Sequence, residues 1–185
     1  MTETTKAERL LDEVLGALSG DGWMAMLDRF ETPTYLTDKD GNVTYWNRAC
    51  VEFAGREPQL GSDRWCVTWK IFTTGGDLLP HDACPMAIAI KQRRVVRNAI
   101  AIAERPDGSR RAFTPYPTPL FDDSGELKGA VNMLIDVSAE QGRLLRSQAD
   151  RCRRLARSVT DAQASRVLDD MAIGYEHTAA SISTA

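Results

Sequence analysis

The segment Tyr35–Asn47 (YLTDKDGNVTYWN) constrains the fold of this 185-residue chain more than any other stretch of its sequence. Two short runs of β-forming residues, Thr34–Thr37 and Asn42–Trp46, flank the turn Asp38–Gly41. A glycine after aspartate supplies the positive φ that such a turn needs, so the pattern predicts a β-hairpin. Asn47 then precedes a run of small residues and is a good N-cap for a short helix. The sequence therefore predicts a hairpin followed directly by a helix.

Three further strand-like runs follow, joined by turns that contain Asp-Gly or Ser-Gly. They cover Val95–Glu104, Arg110–Pro115 and Leu127–Val137, and strands connected in this way form an antiparallel meander. Together with the hairpin they predict an α+β fold over residues about 33–137, with a five-stranded antiparallel sheet and helices packed on one face. The prolines at 115, 117 and 119 alternate and lack N–H groups, so regular pairing should stop or bulge after about Thr114.

The N-terminal segment, residues 1–22, predicts one amphipathic helix. Thr5 and Glu8 form a capping-box pattern, and a stripe of apolar residues follows at steps of four and three: Ala7, Leu11, Val14 and Leu18. Two interpretations remain open. The helix either packs on its own domain or pairs with a second copy of the chain.

The C-terminal segment, residues 139–185, predicts two helices that fold into a hairpin. Capping-box patterns at Ser138/Gln141 and Thr160/Gln163 place their starts near 139 and 161. The first helix is basic, with apolar positions Leu145, Ala149, Cys152, Ala156 and Val159. The second is acidic, with an apolar stripe of Ala164, Val167, Leu168, Met171 and Tyr175. A hairpin of unlike charge is favoured over a nucleic-acid-binding arm, and each exposed ion pair contributes only about 0–1 kcal/mol.

The hairpin, the Asn cap, the meander and the closing Asp136-Val137-Ser138 resemble the PAS family of sensor domains over residues 23–138. Asp136 and Ser138 match the signature with which PAS domains join their output elements, so the resemblance implies that they transmit signals. The segments Trp65–Lys70 (WCVTWK) and His81–Met86 (HDACPM) are similar to those of short alphaproteobacterial PAS proteins. The resemblance implies a stand-alone bacterial regulator with flanking helices.

Composition excludes several classes of function. No run approaches the roughly 20 apolar residues of a membrane span, and the N-terminus lacks the features of a signal peptide, which predicts a cytoplasmic protein. The four cysteines at positions 50, 66, 84 and 152 have no CxxC spacing and are expected to be free thiols. A formal charge of -3 does not favour nucleic-acid binding.

The segment His81–Met86 is the best candidate for a ligand contact. Asp82 can cap a helix over about 83–92, which would place Cys84 at a helix N-terminus, where the dipole lowers the pKa of a thiol. By family analogy this helix walls the PAS ligand cavity, and Cys-Pro motifs and an axial His occur in haem-binding relatives. Haem, another small ligand or a redox role are therefore open, as is a purely structural role for His81, Cys84 and Met86. The sequence offers no second ligand pair for zinc and lacks the flavin-adduct motif of LOV domains, with Asn47–Cys50 only a superficial match.

Trp65 and Trp69, four residues apart, are expected to fill the core or to stack on a flat ligand. No phosphate-binding loop and no nucleophile–base pair is recognisable, so the chain is not expected to be an enzyme. The favoured function is a sensory and regulatory module that binds a small ligand or partner protein and transmits its state through flanking helices. The alternatives are a haem-based redox or gas sensor and a ligand-free interaction adaptor. The partners expected are a second copy of the chain and a signalling protein.

Overall fold

The computed structural model describes residues 3–182 and, among side chains, those of residues 6–182. Its strands form one antiparallel sheet in the order β2-β1-β7-β5-β4-β3, with β6 also paired to β7. The strands are β1 (Thr34–Asp38), β2 (Val43–Trp46), β3 (Lys70–Phe72), β4 (Ala101–Glu104), β5 (Arg110–Pro115), β6 (Thr118–Phe121) and β7 (Leu127–Asp136). The predicted α+β fold with an antiparallel sheet is confirmed.

The sheet has seven strands where five were predicted, and prolines explain one of the two additions. Pro115 and Pro117 interrupt one continuous strand, so that β5 and β6 pair separately with β7. Between them the Tyr116 N–H lies 2.9 Å from both the Met133 carbonyl oxygen and Asn132 Oδ1. The pairing predicted to stop after about Thr114 therefore stops after Pro115. The other addition, β3, is a three-residue edge strand paired with β4.

The strand predicted from Val95 begins only at Ala101. Asn98 has a φ of 58°, in the left-handed region that extended strands do not use. Residues 95–100, which the apolar pattern assigns to the strand, therefore belong to the segment that leads into it.

Alternation along the strands divides the sheet into an inner and an outer face. The inner face includes Tyr35, Ala103, Phe113 and Leu134, and it packs against α3 (Arg48–Ala54) and α4 (Pro85–Gln92). The outer face includes Val131 and Met133 near α1 (Glu3–Leu18) and α2 (Trp23–Leu27), and Ile102 and Ala112 near the C-terminal helices. Both faces are covered, which is why seven of the ten residues of β7 are buried.

The N-terminal helix α1 lies on its own domain. Ala7, Leu11 and Val14 are buried on it, together with Ala17 in place of the predicted Leu18, and they pack against the outer face of the sheet. The helix begins at Glu3 rather than at a cap on Thr5, whose side chain lies outside the described residues. Of the two interpretations of this helix, its stripe fits packing within the chain.

The C-terminal helices α5 (Ser138–Ser158) and α6 (Ala162–Ser181) form the predicted hairpin. Leu145, Ala149, Cys152 and Ala156 are buried along α5, while Val159 is 37% exposed. On α6 the buried residues are Ala172 and Ala179, whereas Val167 and Met171 of the predicted stripe are exposed. Arg153 and Glu176 join the two helices through an ion pair of 2.6 Å.

Both predicted C-terminal caps were assigned to the wrong residue. The Ser138 hydroxyl bonds to the backbone of Ala112 in β5, and Val137 occupies the cap position of α5 without a side-chain cap. At α6 the Asp161 carboxylate, not Thr160, accepts from the N–H groups of Gln163 and Ala164. The first error arises because the Ala112 backbone, distant in sequence, takes the Ser138 hydroxyl. The second is an offset of one residue, since Asp161 rather than Thr160 caps the helix. Within residues 3–182, no helix is both long and apolar enough to cross a membrane.

Candidate functional site

The predicted ligand-contacting residues do not form one cluster. Trp65, Cys84 and Met86 are 8%, 2% and 1% exposed and belong to the core between the sheet and α4. Trp69 is 44% exposed, and the Lys70 ammonium lies 4.0 Å from the centre of its ring. The chain from Trp65 to Trp69 is an irregular loop, so a spacing of four residues does not bring the two indoles to one face. The structure therefore unites three of the five predicted residues and separates Trp69 from them.

Cys84 has the opposite acidity to the one predicted. It is the N-cap residue of α4, one position before Pro85, and a short 3-10 turn (His81–Ala83) takes the place of the cap predicted at Asp82. Burial raises the pKa of the Cys84 thiol to about 12, because the loss of solvation outweighs the lowering by the nearby N–H groups of Met86 and Ala87. Cys84 is therefore a neutral thiol at pH 7, and the predicted lowering of its pKa is wrong.

A polar network that the sequence did not predict lies in the middle of this core. The Tyr35 hydroxyl donates to the Trp65 carbonyl oxygen at 3.0 Å and accepts from Asn132 Nδ2 at 3.0 Å. Cys84 Sγ lies 3.9 Å from the same Trp65 oxygen. Burial raises the pKa of Tyr35 well above its ordinary value, with a further rise from Cys66 and Cys84. The network therefore joins β1, β7 and the loop before β3 through uncharged groups.

Trp65 reaches this position through an unusual backbone conformation. Its φ is 69°, a region that bulky residues rarely adopt and that costs about 1–3 kcal/mol. Its N–H donates to the Gly41 carbonyl oxygen at 2.7 Å, and a Cβ on Gly41 would lie 2.2 Å from the indole ring. The predicted hairpin turn at Asp40-Gly41 thus has a second role, since it holds Trp65 with its carbonyl turned toward Tyr35.

The two predicted signal-transmission residues lie together where the last strand becomes the first output helix. Asp136 Oδ1 accepts from the Ser138 N–H at 2.8 Å, and its Oδ2 accepts from Arg111 at 3.2 Å. The Ser138 hydroxyl lies 3.0 Å from the Ala112 nitrogen and 3.4 Å from its carbonyl oxygen. The Val137 N–H donates to the same carbonyl at 2.9 Å. The start of α5 is therefore fastened to β5 as well as to β7.

The far end of the hairpin returns to the same strand. Ile182, just after α6, forms a parallel bridge with Arg110 at the beginning of β5. Ile102 and Ala112 on the outer face pack with Leu145, Ala179 and Ile182. On the other side, a groove of about 630 Å³ lies between α1 and the start of α5. Both ends of the hairpin thus rest on the outer face of the sheet, and the start of α5 faces α1 across this groove.

The order of these elements matches a known family. A family model described as PAS fold matches residues 27–142, which is more than half of the chain. The chain belongs to the PAS family. No curated protein matches this chain.

Solved structures similar to this PAS protein include several sensory domains. A Rhodobacter sphaeroides LOV protein is 15% identical, with 91% of this chain and 94% of that one covered and a TM-score of 0.48. The PAS domain of the fruit-fly ELK potassium channel is 12% identical, with 61% and 92% covered and a TM-score of 0.48. An RNA-binding light-oxygen-voltage receptor is 17% identical with a TM-score of 0.49; 80% of this chain is covered, and it spans about a third (34%) of that protein.

The PAS core does not fit a haem bound through His81 and Cys84. Trp65, Cys84 and Met86 fill the space between the sheet and α4 with their own side chains. His81 is not part of this buried cluster; its charged neighbours are Asp63 and Arg56, and burial lowers its pKa. Its Nε2 is buried without a hydrogen-bond partner among the described residues. Across residues 3–182 there is also no group of three or more His, Cys, Asp or Glu side chains placed to hold a metal ion.

The PAS core does not offer a flavin-reactive thiol either. Cys50, the superficial match to a LOV cysteine, is fully buried on α3, and burial raises the pKa of its thiol. Asn47, which precedes it, caps α3 as predicted and also bonds to the backbone of Thr34, Leu27, Phe30 and Thr32. This region of the domain is therefore built for packing.

Sequence reasoning missed Tyr35 and Asn132, although one signal was available. Asn132 is the single amide in the apolar run Ala130–Leu134 (AVNML), and a buried amide requires partners. The sequence did not give the register that sets Asn132 opposite Tyr35 across β1 and β7. The partner could therefore not be named from the sequence.

Proposed function

We propose that this PAS protein is a sensory and regulatory module of bacterial signal transduction that transmits the state of its core to the α5–α6 hairpin. The observation that carries the proposal is the Ser138 connection. The hydroxyl of the first residue of α5 bonds to both backbone groups of Ala112, so a shift between β5 and β7 must either move α5 or break these bonds. Helix α5 is therefore attached to both β5 and β7, so a relative shift of these strands would reach it.

The path from the core to this connection is short. Asn132 contacts Tyr35 inside the core, and four residues further along β7 lies Asp136, which bonds to the Ser138 N–H. Asn132 Oδ1 also accepts from the Tyr116 N–H, which lies where prolines interrupt the pairing with β7 between β5 and β6. Because Pro115 and Pro117 have no N–H groups to donate to β7, this segment has fewer ladder bonds than a regular strand, and we expect β5 to shift against β7 here.

The input is a small ligand or a partner protein that alters the packing around Tyr35 and Trp65. A second candidate function, a ligand-free interaction adaptor, is supported by the filled core, since Trp65, Cys84 and Met86 occupy the region where PAS ligands are expected. Native mass spectrometry of the purified chain separates the two. Added mass that persists under native conditions and disappears on unfolding supports a ligand sensor, and the bare mass supports the adaptor.

The output is a change in protein contacts, without catalysis. The module works in the cytoplasm as a homodimer that engages a signalling protein through its flanking helices. Helix α1 and the α5–α6 hairpin both pack on the outer face of the sheet. This packing supports the arrangement, because both sets of flanking helices contact strands of the core. A visible absorption spectrum of freshly purified protein tests the haem alternative, which predicts a Soret band, whereas this proposal predicts none.

Hydrogen exchange tests the proposal itself. Tyr35→Phe removes the hydroxyl at the centre of the core network while keeping the ring. We expect faster amide exchange in the first turns of α5 as well as around Trp65. Faster exchange around Trp65 alone, with α5 unchanged, would contradict transmission to the hairpin.

A further inference from the structure

The hairpin leaves one apolar surface uncovered. Leu144 and Leu155 on α5 are 52% and 44% exposed, Val159 directly after α5 is 37% exposed, and Val167 and Met171 on α6 are 52% and 44% exposed. These five residues are called the hairpin patch below. None of them belongs to the seam that holds α5 against α6, which contains Ala149, Cys152 and Ala172.

Helical geometry places the hairpin patch on one side of the hairpin. Positions i, i+4 and i+11 share a face of an α-helix, which groups Leu144 with Leu155, and Val167 with Met171. The opposite side of the hairpin is marked by a polar groove lined by Arg153, Arg157, Asp169 and Ile173. Ile173, although 59% exposed, therefore lies away from the hairpin patch.

The two helices carry opposite charges, and this identifies the surface that fits the patch. Helix α5 has six arginines and two acids, whereas α6 has one arginine and three acids. On the patch side, Arg151 lies in the same stripe as Leu144 and Leu155, while Asp170 borders Val167. Ala149, Cys152 and Ala172 pack together across the hairpin, so Arg151 and Asp170 lie at about the same height along it.

We infer that the hairpin patch binds the hairpin patch of a second copy of this chain, with α5 of each copy against α6 of the other. A two-fold axis through the patch places basic α5 of each copy beside acidic α6 of the other. Arg151 of one copy then lies at the edge marked by Asp170 of the second copy, and this contact occurs twice per dimer. Apolar residues then form the centre of the interface and charges its rim. This inference rests on the proposed regulatory function and names the surface through which its homodimer forms.

Light scattering and sedimentation of the full chain test the apolar part. Leu155→Glu with Met171→Glu puts charges into the centre of the interface, and we expect the dissociation constant of the dimer to rise tenfold or more. Ile173→Glu is the matched control, an equally exposed apolar residue on the other side, and should leave the dimer unchanged. Far-UV circular dichroism checks that all three proteins remain folded.

A charge-exchange experiment tests the pairing of α5 with the partner's α6. Arg151→Asp alone and Asp170→Arg alone should each weaken the homodimer, since like charges then meet at both contacts. Mixing the two single variants should restore association, because each mixed dimer contains only unlike pairs. An ion pair within one hairpin could not be restored by mixing, so recovery identifies a contact between copies.

Two results would overturn the inference: a wild-type chain that is monomeric at tens of micromolar, or a dimer that survives Leu155→Glu with Met171→Glu. Failure to recover on mixing would overturn the α5-to-α6 pairing. None of these results bears on the proposed transmission from the core to α5, since hydrogen exchange measures that within one chain. Failure of the interface and failure of the regulatory function are therefore distinguishable.

Discussion

The hydroxyl of Tyr35 and the side-chain amide of Asn132 are 97 residues apart in sequence and meet at 3.0 Å inside the core. The two residues are also direct neighbours across β1 and β7. Tyr35 belongs to the first strand of the domain, and Asn132 to the strand that leads into α5. Their hydrogen bond therefore links the beginning of the PAS fold to its exit.

Tyr35→Phe should lower the free energy of unfolding by about 1–3 kcal/mol. The substitution leaves the Trp65 carbonyl oxygen and the Asn132 amide in the core without their hydroxyl partner. Urea denaturation monitored by tryptophan fluorescence measures the change. Tyr45→Phe is the control, because the Tyr45 hydroxyl bonds to Asp28 and Met24 at the partly exposed edge of the domain, and its loss should cost less.

Gly41→Ala should destabilise the protein more than Gly108→Ala. Both glycines have φ values in the left-handed region, +86° and +83°, so both substitutions carry the backbone cost of about 1–2 kcal/mol. At Gly108 the new Cβ meets open space, whereas at Gly41 it would lie 2.2 Å from the Trp65 ring. Equal losses of stability in the two variants would show that Gly41 does not position Trp65.

The local elements of this fold could be predicted because their signals lie within a few residues. Gly41 marks the first hairpin, Asn47 caps α3, and Pro115 and Pro117 mark the break in the long strand. Ser138 looked like a helix cap for the same local reason, but its hydroxyl bonds to Ala112, 26 residues earlier. Sequence patterns describe a side chain's nearby options and do not show when a distant strand supplies a better one.

The candidate site was only partly predictable for a related reason. Periodicity assigns a face within a regular element, and it has no meaning in the irregular loop that separates Trp65 from Trp69. The acidity of Cys84 was predicted from the helix dipole, yet burial in the core has the larger effect. Burial depends on the packing of the whole domain, so a single segment could not reveal it.

The buried thiols should make stability fall in alkaline solution. The pKa of Cys84 rises from 9.0 to about 12 on folding, so above pH 9 the unfolded chain loses a proton that the folded chain keeps. The free energy of unfolding should therefore decrease between pH 9 and 10.5, approaching about 1.4 kcal/mol per pH unit for each such thiol. Cys84→Ala should make this slope shallower, as followed by urea denaturation. An unchanged slope would mean that the thiol ionises in the folded protein.

Cys152→Glu should open the hairpin. Cys152 is one of the apolar positions predicted along α5, and it is buried against α6 beside Ala149 and Ala172. A carboxylate there lacks a partner and should cost several kcal/mol of local stability. Limited proteolysis should then cut within α5 or α6 while the PAS core stays intact, and Gln148→Glu, at an exposed position, should remain resistant. A resistant Cys152→Glu hairpin would contradict the packing of the two helices.

We propose that Ser138 couples the core to α5. Hydrogen exchange of α5 should therefore be compared for Tyr35→Phe with and without Ser138→Ala, against wild type and Ser138→Ala alone. We expect Tyr35→Phe to accelerate exchange in the first turns of α5 only while Ser138 is present, and Ser138→Ala to make exchange in α5 insensitive to the change in the core. If Tyr35→Phe changes α5 by the same factor in both backgrounds, or in neither, Ser138 does not carry the signal.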